Sequence, residues 1–245
     1  MKKLLFLIVV CSVSVLSQPG PRPEKPKNLK VLSDTLNFDQ VRQVMFGYSG
    51  ALGVRCDYCH VGDDSKRPPQ MDFASDMMTT KRTAREMMKL TSSINDRVKD
   101  IFKKAEDAPV EVTCITCHRG VPKPESLENV LWEDYQAGGV EKTKNHYAEL
   151  RSQFYGSFAY DFREESLIRI AEKCSEGKKL DDAISILNIN AGYFPDSPRT
   201  MIALASVFLQ NQKTDTAKSL LGKVLQKDPN NWQAKRLMQN IEMKK

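Results

Sequence analysis

The sequence predicts an all-α protein with two parts: a small domain in which helices alternate with short cysteine motifs, and a C-terminal domain of repeated helix pairs. A CxxCH pattern occurs twice, each time after a stretch with helical apolar spacing. Beyond residue 163 apolar positions recur with a period of 34 residues. The predicted segments are a signal peptide over 1–17, a tether over 18–30, the domain with both motifs over 31–125, a connector over 126–163, and two repeats with a capping helix over 164–245.

The first residues have the pattern of a signal peptide. Lys2 and Lys3 precede an apolar run over residues 4–16, and Val15-Leu16-Ser17 offers a cleavage site. We therefore expect export to a periplasm or cell surface. An uncleaved anchor, and with it membrane association, stays open as an alternative.

The charge balance favours no nucleic-acid partner. Lys and Arg exceed Asp and Glu by six, and two of the lysines lie in the signal peptide. This excess is modest for a nucleic-acid-binding protein.

Helical patterns surround the two cysteine motifs. Asn37 has the properties of a helix N-cap, with Gln40 three residues on, and Gly53 ends the helix just before the first motif. A second helix is predicted over about Thr80 to Phe102. Residues 121–145 are rich in Pro, Gly and charge, and predict a connector with one short helix.

The first motif, Cys56-Asp57-Tyr58-Cys59-His60, has the spacing of a covalent haem c site. Cys56 and Cys59 lie one helical turn apart, so that both sulfurs can reach the two vinyl groups of one porphyrin edge. His60 then offers its imidazole as an axial ligand of the iron.

The second motif repeats this arrangement with Cys114, Cys117 and His118, so that the sequence predicts two haem c groups. A disulfide, a zinc site or a thioredoxin-like redox pair would each explain the cysteines. None of them explains a histidine at the same place twice, and no βαβ pattern surrounds the motifs.

The number of histidines points to methionine as the distal ligand. Only three histidines exist, and His60 and His118 are taken as proximal ligands. A methionine ligand raises the reduction potential and suits electron transfer. The spare histidine, His146, is expected to be solvated or packed in a helix.

The C-terminal period resembles the tetratricopeptide repeat, in which each unit is a pair of antiparallel helices. Small residues and a proline recur in register. The matched pairs are Leu167 with Met201, Ile170 with Leu204, Ala171 with Ala205, Cys174 with Phe208, Ala183 with Ala217, Leu187 with Leu221, and Pro195 with Pro229.

Several stretches around the two motifs resemble the cytochrome c subunit of photosynthetic reaction centres. The resemblance covers about residues 37–124. It is carried by Val44-Met45, Ala51-Leu52-Gly53-Val54-Arg55-Cys56, Phe73-Ala74-Ser75-Asp76, Ala84-Arg85-Glu86-Met87-Met88, Ile94-Asn95 and Cys117-His118-Arg119-Gly120.

This resemblance implies the distal ligands. In that family a methionine on the helix before each CxxCH binds the iron of its own unit. Met45 matches this position for the first motif and Met87 for the second, with Met88 as the alternative. Family members usually carry four haems in two halves, whereas this chain has one half. The distal histidine that one half supplies to the other would fall near Ile101, which is not histidine.

The function implied is single-electron transfer in the periplasm between a donor and an acceptor protein, one of which could be a membrane complex. No catalytic side chain is required. Two alternatives stay open: a dihaem enzyme such as a cytochrome c peroxidase, and a docking protein whose repeats receive a protein or peptide.

Overall fold

The computed structural model describes residues 25–63, 65–66, 70–103 and 110–243. The predicted signal peptide and residues 18–24 of the tether lie outside the described residues. The chain divides into two compact units. The first contains the described residues up to 49 and those from 55 to 111, and the second contains residues 50–54 and those from 112 onward.

Helix α1 (Phe38–Leu52) begins the haem-motif region. Asn37 Oδ1 accepts a hydrogen bond from the Gln40 amide, and Gln40 Oε1 accepts one from the Asn37 amide, both at 2.9 Å. This reciprocal capping box confirms the predicted helix start. Gly53 follows the helix with a φ of +65°, a left-handed conformation that ends it where the sequence predicted.

A short antiparallel hairpin follows the first motif in the first unit. Its strands are β1 (Val61–Asp63) and β2 (Gln70–Asp72), with Gly62 opposite Met71. The all-helical prediction did not include it. The hairpin leads into α2 (Thr79–Ile101), which lies within one residue of the predicted helix at each end.

The second unit contains α3 (Cys114–His118) and the long helix α4 (Leu127–Phe154). The prediction of a connector with one short helix over residues 121–145 is wrong. Gly138 and Gly139 leave helical geometry, with φ values of −157° and +66°, but they only kink α4. The buried side chains of Leu127, Leu131 and Tyr135 hold the first part of α4 against the repeat helices.

The repeats form two antiparallel helix pairs, α5 (Glu165–Glu176) with α6 (Leu180–Tyr193) and α7 (Pro198–Gln210) with α8 (Thr214–Lys227). The turns within the two pairs have the same backbone geometry 34 residues apart. Lys178 and Gln212 have φ values of 59° and 57°. The following amides, of Lys179 and Lys213, bond to carbonyls five residues back at 2.9 and 2.8 Å. The 34-residue period is therefore a structural repeat.

Two apolar cores hold the second unit together. One joins α4 to α5, α6 and α7, and the other joins α7 and α8 to the last helix, α9 (Trp232–Met243). Ala234 and Ile241 of α9 are buried against the second repeat, as expected of a capping helix. The all-α fold class is thereby confirmed. Within the described part of the chain, no helix has both the length and the apolar character needed to cross a membrane.

Candidate haem sites

The first CxxCH motif forms a tight turn between α1 and the hairpin. Residues Cys56–Tyr58 make one turn of 3₁₀ helix. The amides of Cys59 and His60 both donate to the Cys56 carbonyl, at 3.2 and 3.0 Å. The turn is also tied to α2, because the Thr80 hydroxyl donates to the Tyr58 carbonyl. These bonds hold both thiols and the imidazole on one short segment, as covalent haem attachment requires.

His60 is half-buried and its ring packs edge-on against Phe73, with the ring centroids 5.1 Å apart. Burial lowers the pKa of His60, and the nearby charges of Lys81 and Arg85 lower it further, while Asp72 opposes them. The imidazole is therefore held neutral, the form that binds iron.

One ring nitrogen of His60 has no partner among the described residues. Nδ1 is buried and accepts or donates no hydrogen bond among the described residues. A buried polar atom in this condition points to a group supplied from outside the chain. His60 therefore fits the role of an iron ligand.

The cysteines of both motifs are free thiols, so that neither pair forms a disulfide. Cys56 and Cys117 are exposed, and Cys59 and Cys114 are partly buried. Burial raises the pKa of the Cys59 and Cys114 thiols, an effect that the Thr80 hydrogen bond partly offsets at Cys59. Free thiols are what thioether formation with haem vinyl groups consumes.

The second motif is a short helix of its own, α3. The Thr113 amide donates to Thr116 Oγ1 at 3.0 Å, which starts α3. Arg119 and Gly120, with φ values of 52° and 92°, end it directly after His118. The motif is therefore isolated as a single helical turn that carries both thiols and the imidazole.

His118 has one defined tautomer. Its Nδ1 lies 3.0 Å from the carbonyl oxygen of Val121. A carbonyl only accepts hydrogen bonds, so Nδ1 is the ring nitrogen that donates here, and Nε2 is the nitrogen left to bind a metal. Metal-binding histidines commonly donate their other ring N–H in this way, which fixes the ring and strengthens the ligand. His118 is thus prepared to bind iron through Nε2.

The end of α1 and the loop after α3 fit closely together. The Gly120 amide donates to the Ala51 carbonyl at 2.9 Å. A Cβ atom at Gly53 would lie 2.0 Å from the Gly120 carbonyl oxygen. Only glycine at position 53 permits this approach, which positions the turn that follows His118.

The predicted distal methionines lie on the two long helices of the haem-motif region. Met45 is partly buried on α1, Met87 is largely exposed on α2, and Met88 is partly buried beside it. Their assignment to iron stays a prediction.

The apolar side chains around the motifs are mostly exposed. Ala51 is the single buried apolar residue among those described from 25 to 120, and α2 turns large apolar side chains outward. Such a surface is typical of a segment that packs around a bound apolar group. A haem fits it. The exposed set in this region comprises Phe46, Tyr58, Phe73, Met77, Met87, Leu90, Ile94, Ile101, Phe102, Val110 and Ile115.

A cluster of charges beside the first motif was missed by sequence reasoning. The Asp76 carboxylate accepts hydrogen bonds from Asn28 at 2.9 Å, Lys30 at 2.6 Å and Arg85 at 2.7 Å. These bonds, that of Lys30 first, hold the pKa of Asp76 well below its ordinary range. Lys81 lies 3.4 Å from the same carboxylate. The available signal was the recurrence of basic residues after Asp76 at helical spacing.

A model of the photosynthetic reaction centre cytochrome c subunit family matches residues 23–180. The chain belongs to this family. The match covers both CxxCH motifs, α4 and α5, and so extends beyond residues 37–124 in both directions. Membership of a cytochrome c family implies haem c as the cofactor and electron transfer as the general role.

A curated member of the family is the photosynthetic reaction center cytochrome c subunit of Thermochromatium tepidum. It is 32% identical over 153 residues, which is 61% of this chain and 34% of the relative. The chain thus spans about a third of the length of this relative.

Among solved structures, the first tetratricopeptide repeat domain of Spaghetti (RPAP3), bound to an HSP90 peptide, is similar to 48% of this chain. The match covers 88% of that chain with 18% identity and a TM-score of 0.34. This likeness is too weak to support a statement about the fold, which is established here by the two helix pairs themselves.

Proposed function

We propose that this protein is a periplasmic dihaem c-type cytochrome that passes single electrons between redox partners. The observation that carries the proposal is the state of the two motif histidines. The pKa of His60 is lowered by burial and its buried Nδ1 has no partner among the described residues, while the ring of His118 is fixed through Nδ1 by the Val121 carbonyl. Two oriented imidazoles, each beside two free thiols, suit two haem c groups.

Haem c, when bound, supplies a one-electron couple. The chain contributes attachment through Cys56, Cys59, Cys114 and Cys117 and axial ligation through His60 and His118. We further propose Met45 as the distal ligand at the first site and Met87, with Met88 as the alternative, at the second. The functional division is part of this proposal: residues 31–125 carry the haems and 164–245 form the repeats, while α4 packs against the repeats and does not act as a connector.

Localisation and partners follow from the same proposal. We infer that residues 1–17 export the chain, which leaves it in the periplasm or attached to a membrane complex. One redox protein would then supply electrons and another would receive them. The T. tepidum relative is named as a reaction centre subunit, and a reaction centre is therefore one candidate partner.

Carbon monoxide binding separates the carrier from an enzyme with an open iron. Irons with two protein ligands resist carbon monoxide, so we expect slow binding and small spectral change in the reduced protein. Rapid binding at either haem, together with turnover of hydrogen peroxide in the presence of an electron donor, would favour the peroxidase alternative instead.

A docking role for the repeats is supported by one specific feature. A surface cleft of about 500 Å³ lies where α5, α6 and α7 meet, lined among others by Arg163, Phe194 and Arg199. Exchanging Arg163 and Arg199 for glutamine should weaken co-purification with a redox complex and leave the haem spectrum unchanged. Arg236→Gln, on an exposed part of α9, is the matched control. A changed haem spectrum would instead indicate that the repeats stabilise the haem-binding part of the chain.

A further inference from the structure

The charged cluster around Asp76 is linked to His60 of the first motif through Lys81 and Phe73. Lys81 lies in the first turn of α2. It is the one cationic residue that is buried among the described residues. Its ammonium group donates to the Phe73 carbonyl at 2.8 Å and the Ser75 carbonyl at 2.7 Å. The Phe73 ring, in turn, contacts the His60 ring.

Positive charge exceeds negative charge in this cluster. Lys30, Lys81 and Arg85 face a single carboxylate, that of Asp76. Arg82 adds a fourth cation, because its guanidinium donates to the Asp76 carbonyl at 2.7 Å. Asp72, whose carboxylate accepts from the Ala74 and Ser75 amides, is the other nearby anion. The excess is two positive charges.

The shielding of these charges from water is uneven. The side chains of Lys81 and Arg85 are 11% and 14% exposed, whereas that of Lys30 is 58% exposed. Solvent and salt screen an exposed charge strongly and a buried one weakly. Lys81 and Arg85 therefore dominate the field that the cluster exerts on its surroundings.

Around the second motif, the described residues form no comparable cluster of charges. His118 is fixed by a neutral carbonyl, that of Val121. The pKa of the Cys114 thiol is raised mainly by burial. A backbone hydrogen bond lowers it and the neighbouring Cys117 raises it, so no charged side chain of opposite sign is among the causes. Among the described residues, the two motifs thus differ in the fixed charge placed beside them.

We propose that Lys81 and Arg85, held in place by Asp76, raise the reduction potential of the haem bound at Cys56–His60 through their positive charge. Reduction of ferric to ferrous haem adds one electron and so lowers the charge of the site by one. A fixed positive field stabilises the reduced form relative to the oxidised form. The inference rests on the proposed function, since it concerns the haem at this motif.

Redox titration of the matured full-length protein tests the inference, because removing a positive charge and removing the negative charge should shift a midpoint potential in opposite directions. Lys81→Met and Arg85→Gln should each lower one of the two midpoint potentials. The expected change is about tenfold in the ferrous-to-ferric equilibrium, or about 59 mV for one electron. Asp76→Asn, which removes the negative charge, should raise the same midpoint, and Lys81→Arg should leave it unchanged.

The control is Lys99→Met, on the same helix but in its exposed last turn beside Asp96. It should move neither midpoint. Shifts of the same sign in Lys81→Met and Asp76→Asn, or an equal shift in Lys81→Arg, would show that the cluster acts only through structure and would overturn the inference.

The haem content of each variant is measured first. If Lys81→Met does not retain two haems, Arg85→Gln and Asp76→Asn still provide opposite expected signs. A wild-type chain without covalent haem would contradict the proposed function itself. If the wild-type chain carries two haems but the variants leave both midpoint potentials unchanged, the inference alone is contradicted.

Discussion

Gly53 approaches the backbone of Gly120 so closely that no side chain fits at position 53. A Cβ atom at Gly53 would lie 2.0 Å from the Gly120 oxygen. This contact joins the end of the helix before the first motif to the turn after the second. Both residues belong to the second compact unit, which therefore includes the last turn of α1.

Gly53→Ala should destabilise this unit markedly. A non-glycine residue at a φ of +65° costs about 1 to 2 kcal/mol, and the clash with backbone at Gly120 adds to that cost. Since 1 kcal/mol corresponds to about 2–4 °C for a chain of this size, the thermal midpoint should fall by several degrees.

Gly47→Ala is the control, because a Cβ atom at Gly47 meets nothing within 4 Å and the residue lies inside α1. It should be neutral or stabilising by about 0.5 to 1 kcal/mol. Equal midpoints for the two variants would show that the Gly53 contact is unimportant.

Met45→Ala should remove a distal ligand. In the ferric protein the far-red absorption band of methionine-ligated haem should fall by about half if both haems have methionine ligands. Met77→Ala is the control, because Met77 precedes α2 and is 77% exposed. If the band is unchanged in Met45→Ala, Met45 is an apolar packing residue, as methionine often is.

Asp76 should make the first unit sensitive to acid. Its pKa in the folded protein lies below the ordinary value of 3.8. The unfolded chain therefore binds the proton more readily, so that the stability gained is present above pH 3.8 and is lost as the pH falls further. Thermal midpoints recorded from pH 6 downward should converge for wild type and Asp76→Asn.

The control for acid sensitivity is Asp96→Asn, which alters an exposed carboxylate that pairs with Lys99 at 3.8 Å. Its midpoint should follow that of the wild type throughout. A constant difference between wild type and Asp76→Asn down to the lowest pH would contradict the account of this cluster.

Tyr135 anchors α4 to the first repeat through its hydroxyl group. It is buried, and its hydroxyl donates to Asp182 at 2.6 Å. Burial and this hydrogen bond raise the pKa of Tyr135. Tyr135→Phe leaves the carboxylate without this donor. The free energy of unfolding, measured with denaturant, should fall by roughly 1 to 2 kcal/mol.

Tyr155→Phe is the corresponding control. Tyr155 is 66% exposed, and its ring, which lies 3.9 Å from the Arg151 guanidinium, is kept by the substitution. We expect an effect within about 0.5 kcal/mol. If Tyr135→Phe is equally mild, the hydroxyl does not contribute to holding the two helices together.

Much of the fold could be predicted because its signals are local. Asn37 and Gln40 cap α1, Gly53 ends it, and a 34-residue spacing returns the same turn at Lys178 and Gln212. Haem attachment could be predicted for the same reason, since each CxxCH motif places two thiols and an imidazole within five consecutive residues.

What could not be predicted depends on contacts between distant residues. Gly138 and Gly139 resemble a helix break, but the burial of Leu131 before the kink and of Tyr147 after it stabilises both parts of α4 against the repeats. The Asp76 cluster joins Asn28 and Lys30 to Arg85 over more than 40 positions of sequence. Local patterns contain no information about such pairings.

The amount of covalent haem per polypeptide tests the central claim most directly. The chain, expressed with cytochrome c maturation factors, should carry two haems. The double variants Cys56→Ser with Cys59→Ser and Cys114→Ser with Cys117→Ser should carry one haem each, and Cys174→Ser should keep both because Cys174 is buried in the repeat core. A wild-type chain that carries no covalent haem, or whose haem is unaffected by loss of either cysteine pair, would contradict the account.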